Sequence, residues 1–329
     1  MPGARITLIG DPSAGAFAER FHNYVDELLV FPGQSECALQ LADATALPAF
    51  YAEASARRFD FALQLHDSST ASNTVVSRLG ASCWAGFTPH EGSAMQAVSS
   101  TATPQRNAVL VPWPRHLPEV LRHKTLLQHL GIKVGSTELE SPLTKADSDA
   151  AMALFTASGL NPRQTVMLHP GARISSKHWP ISHFAHVASE LARRGWQIAV
   201  TGDSNDIDLA RQLTRALPCF AVNLAGQTSP TSLAAFMAMC RLVICNDPGI
   251  SHMAAAVQTP SVVVASGDDL NRWTPLNREL HTILSAPVNP FADFPRGQEP
   301  TLTHPAAGVR ADDVLMHAQH KLATPQVHA

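Results

Sequence analysis

The sequence predicts an α/β fold built as two domains around a cleft, and three observations carry that expectation. Short β-branched or aliphatic runs alternate with longer amphipathic stretches along the chain. The runs are continuously apolar, as in parallel strands covered by helices on both faces. A polar stretch containing Pro142, Glu138–Asp149, separates two such series. Each series has the alternation of a Rossmann-like domain. The expected division is an N-terminal domain over 1–150 and a C-terminal domain over 151–329, with the boundary falling within 145–163.

In the first domain the strand candidates are Arg5–Ile9, Phe59–Leu65 and Ala108–Val111. In the second they are Thr165–Leu168, Gln197–Val200, Leu242–Cys245 and Ser261–Ala265. The clearest helical patterns are Ile181–Arg194, Asp206–Ala216, Ser229–Met239 and Ser251–Val257. The stretch Pro287–Pro305 is rich in proline and polar residues and is expected to wrap the surface before a last helix, Ala311–Leu322.

The chain has 329 residues, of which 45% are hydrophobic and 16% charged, a composition that supports a large core. A net charge of -3 argues against nucleic-acid binding through bulk charge. Five cysteines without a CxxC pair fit reduced thiols in a cytosol. No apolar run approaches the ~20 residues of a membrane helix, and the first residues do not read as a signal peptide. The expectation is a cytoplasmic protein, with peripheral contact at a membrane and oligomerisation both open.

Four strand–loop–helix joints in the second half carry chemistry. Leu168 to Pro180 follows a strand with Gly171 and Ala172, then Arg173 and Lys177. Glycine admits close backbone approach, and the two cations beside exposed N–H groups suit a diphosphate. The same residues also read as an ordinary Gly/Pro turn with solvated charges. Cys245 to Ala256 runs from a strand into a helix, with Asp247 expected as N-cap and Pro248 in its first turn. The N–H groups of Gly249 and Ile250 at that helix end form an anion site, and His252 either bonds a phosphate or packs as a neutral ring. Val200 to Asp206 places a carboxylate where ribose hydroxyls are often held, although such a residue is more commonly a plain helix cap. Asn223 to Ser229 could line a base pocket.

In this order, HPGA-x4-KxWP, TG-x3-[DE], LAGxTS, NDxGxxHxAAA, Gly267 and Arg272-Trp273-x-Pro275 resemble the nucleotide-sugar domain of glycosyltransferase family 9, the ADP-heptose:lipopolysaccharide heptosyltransferase family. In the first half, Phe59 to His66, Asn73, Leu79-Gly80-Ala81 and Gly86-Phe87 resemble that family's acceptor domain. The resemblance implies a GT-B fold and an inverting glycosyltransferase that needs no metal or other cofactor. It implies an ADP-heptose donor and a lipopolysaccharide core acceptor on the cytoplasmic face of the inner membrane. It assigns Lys177 to the departing diphosphate, Gly249 and its neighbours to the phosphate cradle, His252 to that turn, and Asp206 to the ribose in place of the usual Glu. Pro248 replaces the usual Thr or Ser and removes a hydroxyl and an N–H donor.

The family's first strand and its Gly-Asp loop, with the Asp assigned as general base, are not recognised here, because Pro2–Ile9 resembles the second strand. The catalytic residue is therefore left unassigned, with Asp67 and Asp11 as candidates. The alternative is a catalytically silent nucleotide-sugar-binding relative with an assembly or regulatory role. Gly10-x4-Gly15 is no P-loop, since Ala16 stands where Lys is required, and no GxGxxG supports NAD. His183 and His186 are spaced i, i+3 but find no third metal ligand in the sequence pattern.

Overall fold

The computed structural model describes residues 3–33, 45–66, 68–88, 107–172, 178–246, 249–265, 270–286 and 305–324. The chain divides into two compact units, Met1–Thr137 and Glu138–Ala329.

The first unit runs β1 (Thr7–Gly10), α1 (Ala14–Arg20), β2 (Glu27–Val30), α2 (Leu47–Ala56), β3 (Phe61–Leu63), α3 (Thr70–Ser77), β4 (Cys83–Phe87), β5 (Ala108–Val111) and α4 (Glu119–His129). All pairings among its described residues are parallel. β1 pairs with β2, and β3, β4 and β5 form a separate three-stranded sheet. Ile9 of β1 and Ala62 of β3 nevertheless pack against one apolar cluster built on Leu29, Phe50, Ala54, Val75 and Leu79. β2 and β4 are absent from the strands expected above. Glu27 opens the first, and Ala85 and Gly86 dilute the β-branched signal of the second. Gly86 lies against two buried polar side chains: an added Cβ there would stand 3.0 Å from Asn73 Oδ1 and 3.1 Å from Gln64 Cβ. Asn73 Nδ2 donates to the Phe87 carbonyl at 2.9 Å.

The second unit opens with α5 (Lys145–Ala157), whose first turn falls inside the stretch expected as a linker. Its polar start hides a capping box, in which Thr144 and Asp147 satisfy each other's backbone N–H. Ala151 and Phe155 bury its far side, with Phe155 stacked on Phe236 at 4.2 Å between ring centres. There follow β6 (Thr165–His169), α6 (Ile181–Arg193), β7 (Gln197–Val200), α7 (Ile207–Ala216), β8 (Ala221–Asn223), α8 (Pro230–Met239), β9 (Leu242–Asn246), α9 (Gly249–Ala256), β10 (Ser261–Val264), α10 (Leu270–Trp273), β11 (His281–Leu284) and α11 (Ala311–Ala323).

Six parallel strands form one sheet in the order β11-β10-β9-β6-β7-β8. Alternate residues serve opposite layers, as the two-residue period of a strand requires. Val166, Leu168, Ile198, Val200, Ile244 and Val262 pack beneath α6, α7 and α11. Met167, Ala199, Val243, Cys245 and Val263 pack beneath α5, α8 and α9. This doubly covered sheet is the reason its strands read as unbroken apolar runs.

Candidate functional site

Strand order in the second unit reverses between β6 and β9: β7 and β8 extend to one side, β10 and β11 to the other. At such a switch point the loops leaving the carboxyl ends of the two central strands diverge and open a crevice, where α/β sheets bind ligands. His169 pairs with Cys245 in the parallel register, so Pro170, the first residue beyond β6, and Asn246, the last residue of β9, flank the crevice on either side.

The loop after β6 meets the turn after β7. A Cβ on Gly171 would overlap the Asp206 carboxylate, and one on Gly202 would overlap its Cβ. Both glycines are therefore required for Asp206 to lie against the two turns. Asp206 occupies the N-cap position of α7 but makes no side-chain cap bond there. Its Oδ2 instead accepts the Asp203 N–H at 3.0 Å. Burial raises its pKa above the ordinary aspartate value; the Asp203 N–H opposes this, the Asp203 carboxylate adds to it and His178 opposes it. His178 Nε2 stands 3.0 Å from both the amide nitrogen and the carbonyl oxygen of Ala172.

His169 ends β6. Its Nδ1 lies 3.0 Å from Thr201 Oγ1, and burial drives its pKa down to about 4, against a weaker upward pull from Asp203. On the other side of the crevice, Asn246 is 2% exposed. Its Oδ1 accepts the Trp179 N–H at 3.1 Å, and its Nδ2 donates to the Pro170 carbonyl. Trp179 is fully buried and donates its Nε1–H to the Val309 carbonyl at 2.9 Å. α9 starts with Gly249 and Ile250, and an added Cβ on Gly249 meets no atom within 4 Å. His252 lies in this first turn, and burial lowers its pKa below the ordinary histidine value.

The structure thus brings Gly171 against Asp206, holds the neighbouring Ala172 beside His178, and starts the helix bearing Gly249, Ile250 and His252 at the same carboxyl edge of the sheet. Arg173, Lys177, Asp247 and Asp67 lie outside the described residues. Asp11 follows β1, and its Oδ1 accepts the Ser13 N–H at 2.8 Å, a local turn ahead of α1. Sequence reasoning quoted His169, His178 and Asn246 inside motifs but gave them no role. Their partners stand up to 76 residues away, and only the fold brings them together. Among the described residues no group of three His, Cys, Asp or Glu side chains could hold a metal. Of the His183 and His186 pair, His186 instead faces α11, where Asp312 Oδ1 lies 3.3 Å from its Nε2.

Residues 50–301 match the model of glycosyltransferase family 9 (heptosyltransferase). The chain belongs to this family. It is 33% identical over 130 residues to lipooligosaccharide heptosyltransferase 2 of Haemophilus influenzae, covering 38% of this chain and 37% of that protein. It is 25% identical over 174 residues to lipopolysaccharide heptosyltransferase 2 of Salmonella typhimurium, covering 50% of each. The matched stretches span a third to a half of the length of these relatives. Among solved structures, a glycosyltransferase family 9 protein from Veillonella parvula aligns with a TM-score of 0.76 at 18% identity, covering 98% of this chain and 89% of that one. The E. coli ADP-heptose LPS heptosyltransferase II aligns with a TM-score of 0.69 at 18% identity, over 98% and 90%. The fold of this family 9 chain is the α/β GT-B class with parallel sheets. No described helix is long and apolar enough to cross a membrane.

One consequence of the Asp206 setting is measurable without a ligand. A carboxyl whose folded pKa is raised costs stability once it ionises, so its penalty is present at neutral pH and absent in acid. Asp206→Asn keeps an acceptor for the Asp203 N–H and removes the charge. It is expected to raise the midpoint of thermal unfolding slightly at pH 7 and to leave it unchanged near pH 3. An equal shift at both pH values would mean that ionisation plays no part.

Proposed function

We propose that this protein transfers a heptose or related sugar from a nucleotide diphosphate sugar, ADP-heptose by preference, to a lipopolysaccharide core acceptor at the cytoplasmic face of the inner membrane. The observation that carries the reading is the contact of Gly171 with Asp206 beside the β6/β9 switch point. A carboxylate and a side-chain-free backbone segment beside a switch point support this reading, since dinucleotide-like ligands lie there in this class of sheet. The Asp206 carboxylate accepts ribose hydroxyls. The first turn of α9 offers the N–H groups of Gly249 and Ile250 to phosphate oxygens. Arg173 and Lys177, from the loop after β6, supply the cations that a departing diphosphate requires. His252, kept neutral by burial, offers a hydrogen bond without adding charge. No metal is assigned to the reaction, since these groups neutralise the diphosphate themselves. The base that activates the acceptor hydroxyl is left to Asp67 or Asp11.

The test is calorimetric. ADP is expected to bind the purified chain, and Lys177→Ala is expected to weaken ADP by about 1.5–3 kcal/mol, the size of a charge-assisted phosphate contact. AMP, which lacks the second phosphate, should lose much less. Equal losses for the two nucleotides would remove Lys177 from the diphosphate. Release of ADP from ADP-heptose in the presence of a truncated core acceptor then separates an active transferase from a silent nucleotide binder.

A further inference from the structure

We propose that Asn246 is a positioning residue for the donor site, a carboxamide clamp that closes the loop after β6 across the switch-point crevice. The proposal rests on the donor reading above. Asn246 is the last residue of β9, three positions before Gly249 opens α9. Its side chain reaches across to the neighbouring strand and holds both ends of one loop, donating to the Pro170 carbonyl and accepting the Trp179 N–H. Between those two residues lie Gly171 and Ala172 and, in sequence, Arg173 and Lys177. One side chain therefore fixes the backbone that touches Asp206 relative to the strand that launches the phosphate-facing helix.

The chemistry of the clamp is specific. The Pro170 carbonyl can only accept and the Trp179 N–H can only donate, so the amide orientation is dictated by its partners. A residue that serves both must carry a donor and an acceptor on one short planar group. Aspartate presents two acceptors, leucine presents neither, and glutamine is a methylene too long for a site that is 2% exposed. His178 closes the same loop more locally on Ala172, and the Trp179 indole is held by Val309. The loop's downstream end is thus anchored independently of Asn246, so losing the clamp misplaces the loop without releasing it. A site held in its binding geometry loses affinity when that preorganisation is removed.

The experiment uses Asn246→Asp and Asn246→Leu in the full chain, with ADP as the probe, titrated at pH 8 and pH 5 and always compared with the parent at the same pH. Thermal melts at each pH establish that the proteins are folded. At pH 8 the Asn246→Asp carboxylate faces the Pro170 carbonyl, and ADP affinity relative to the parent is expected to fall about tenfold, the scale of one lost hydrogen bond. Burial raises that carboxyl's pKa, so at pH 5 its protonated form donates to Pro170 again and relative affinity returns to within about threefold. Asn246→Leu can restore neither bond and should stay weak at both pH values.

Recovery in acid confined to the aspartate variant supports the clamp. Parent-like affinity of Asn246→Asp at pH 8, or a loss that persists at pH 5, overturns it. An Asn246→Asp protein that is unfolded at pH 8 makes the residue one of fold alone and overturns it too. A parent that fails to bind ADP overturns the donor reading instead, and the two failures are therefore distinguishable.

Discussion

Replacing Trp179 with alanine is expected to destabilise the second unit by about 3–5 kcal/mol, the usual cost of removing a large buried aromatic. Its ring is fully buried, with Phe184 at 4.8 Å and His183 at 5.4 Å between ring centres. Its indole N–H also holds the Val309 carbonyl, so the truncation leaves both a cavity and an orphaned acceptor. Val309 sits just ahead of α11, which packs on α6 and on the same core. Hydrogen exchange should therefore show α11 amides losing protection in Trp179→Ala. Trp179→Phe keeps most of the ring and gives up one hydrogen bond, which is worth about 1 kcal/mol. Urea unfolding separates the two contributions. If phenylalanine costs as much as alanine, the hydrogen bond and not the packing dominates, and if α11 protection is unchanged in both, the anchor does not hold the helix.

Acid should weaken the second unit well before its carboxylates titrate. Two buried histidines, His169 and His281, have pKa values lowered to about 4. Burial is the main cause for both. For His281 the charges of Lys321, Arg278 and His252 add to it. The His281 ring is 1% exposed, with Nδ1 2.9 Å from Ser261 Oγ. In the unfolded chain each histidine takes its proton near pH 6.5, whereas the folded chain refuses it until about pH 4. Their contribution is fully present above pH ~6.5 and is lost as the pH falls toward 4. The full loss is about 3 kcal/mol for each ring, a large share of the roughly 5–15 kcal/mol that holds a domain folded. Urea midpoints measured between pH 7 and pH 5 should fall steadily in the parent and less steeply in His281→Gln. Equal slopes in the two proteins would show that this ring does not drive the acid sensitivity.

Much of the second unit was legible because its strands are buried on both faces. Gln197–Val200 was readable to the residue, and so was Ala108–Val111 in the first unit. β2, β4 and β11 were not, since each mixes apolar residues with Glu, Gly or His and owes its pairing to neighbours distant in sequence. α5 was hidden by a polar first turn whose capping box serves backbone N–H groups. In the site, the chemical types were legible and the pairings were not. Asp206 looked like a ribose ligand or a helix cap. Its bond to the Asp203 N–H and its contact with Gly171, 35 positions earlier, depend on how two turns come together at the sheet edge. Asn246 stood inside a quoted motif, yet nothing in a linear pattern says that one amide will serve both ends of a loop that begins 76 residues before it.

The bond from Trp179 to Val309 spans 130 positions, which makes it a matter of timing as well as of space. A ribosome adding 5–20 residues each second needs on the order of ten seconds to travel that distance. During this interval the loop bearing Gly171 and Ala172 has been made, while the carbonyl that secures its far end has not. The nascent chain therefore carries the loop that begins with Gly171 and Ala172 without its Trp179–Val309 fastening until residue 309 has been made.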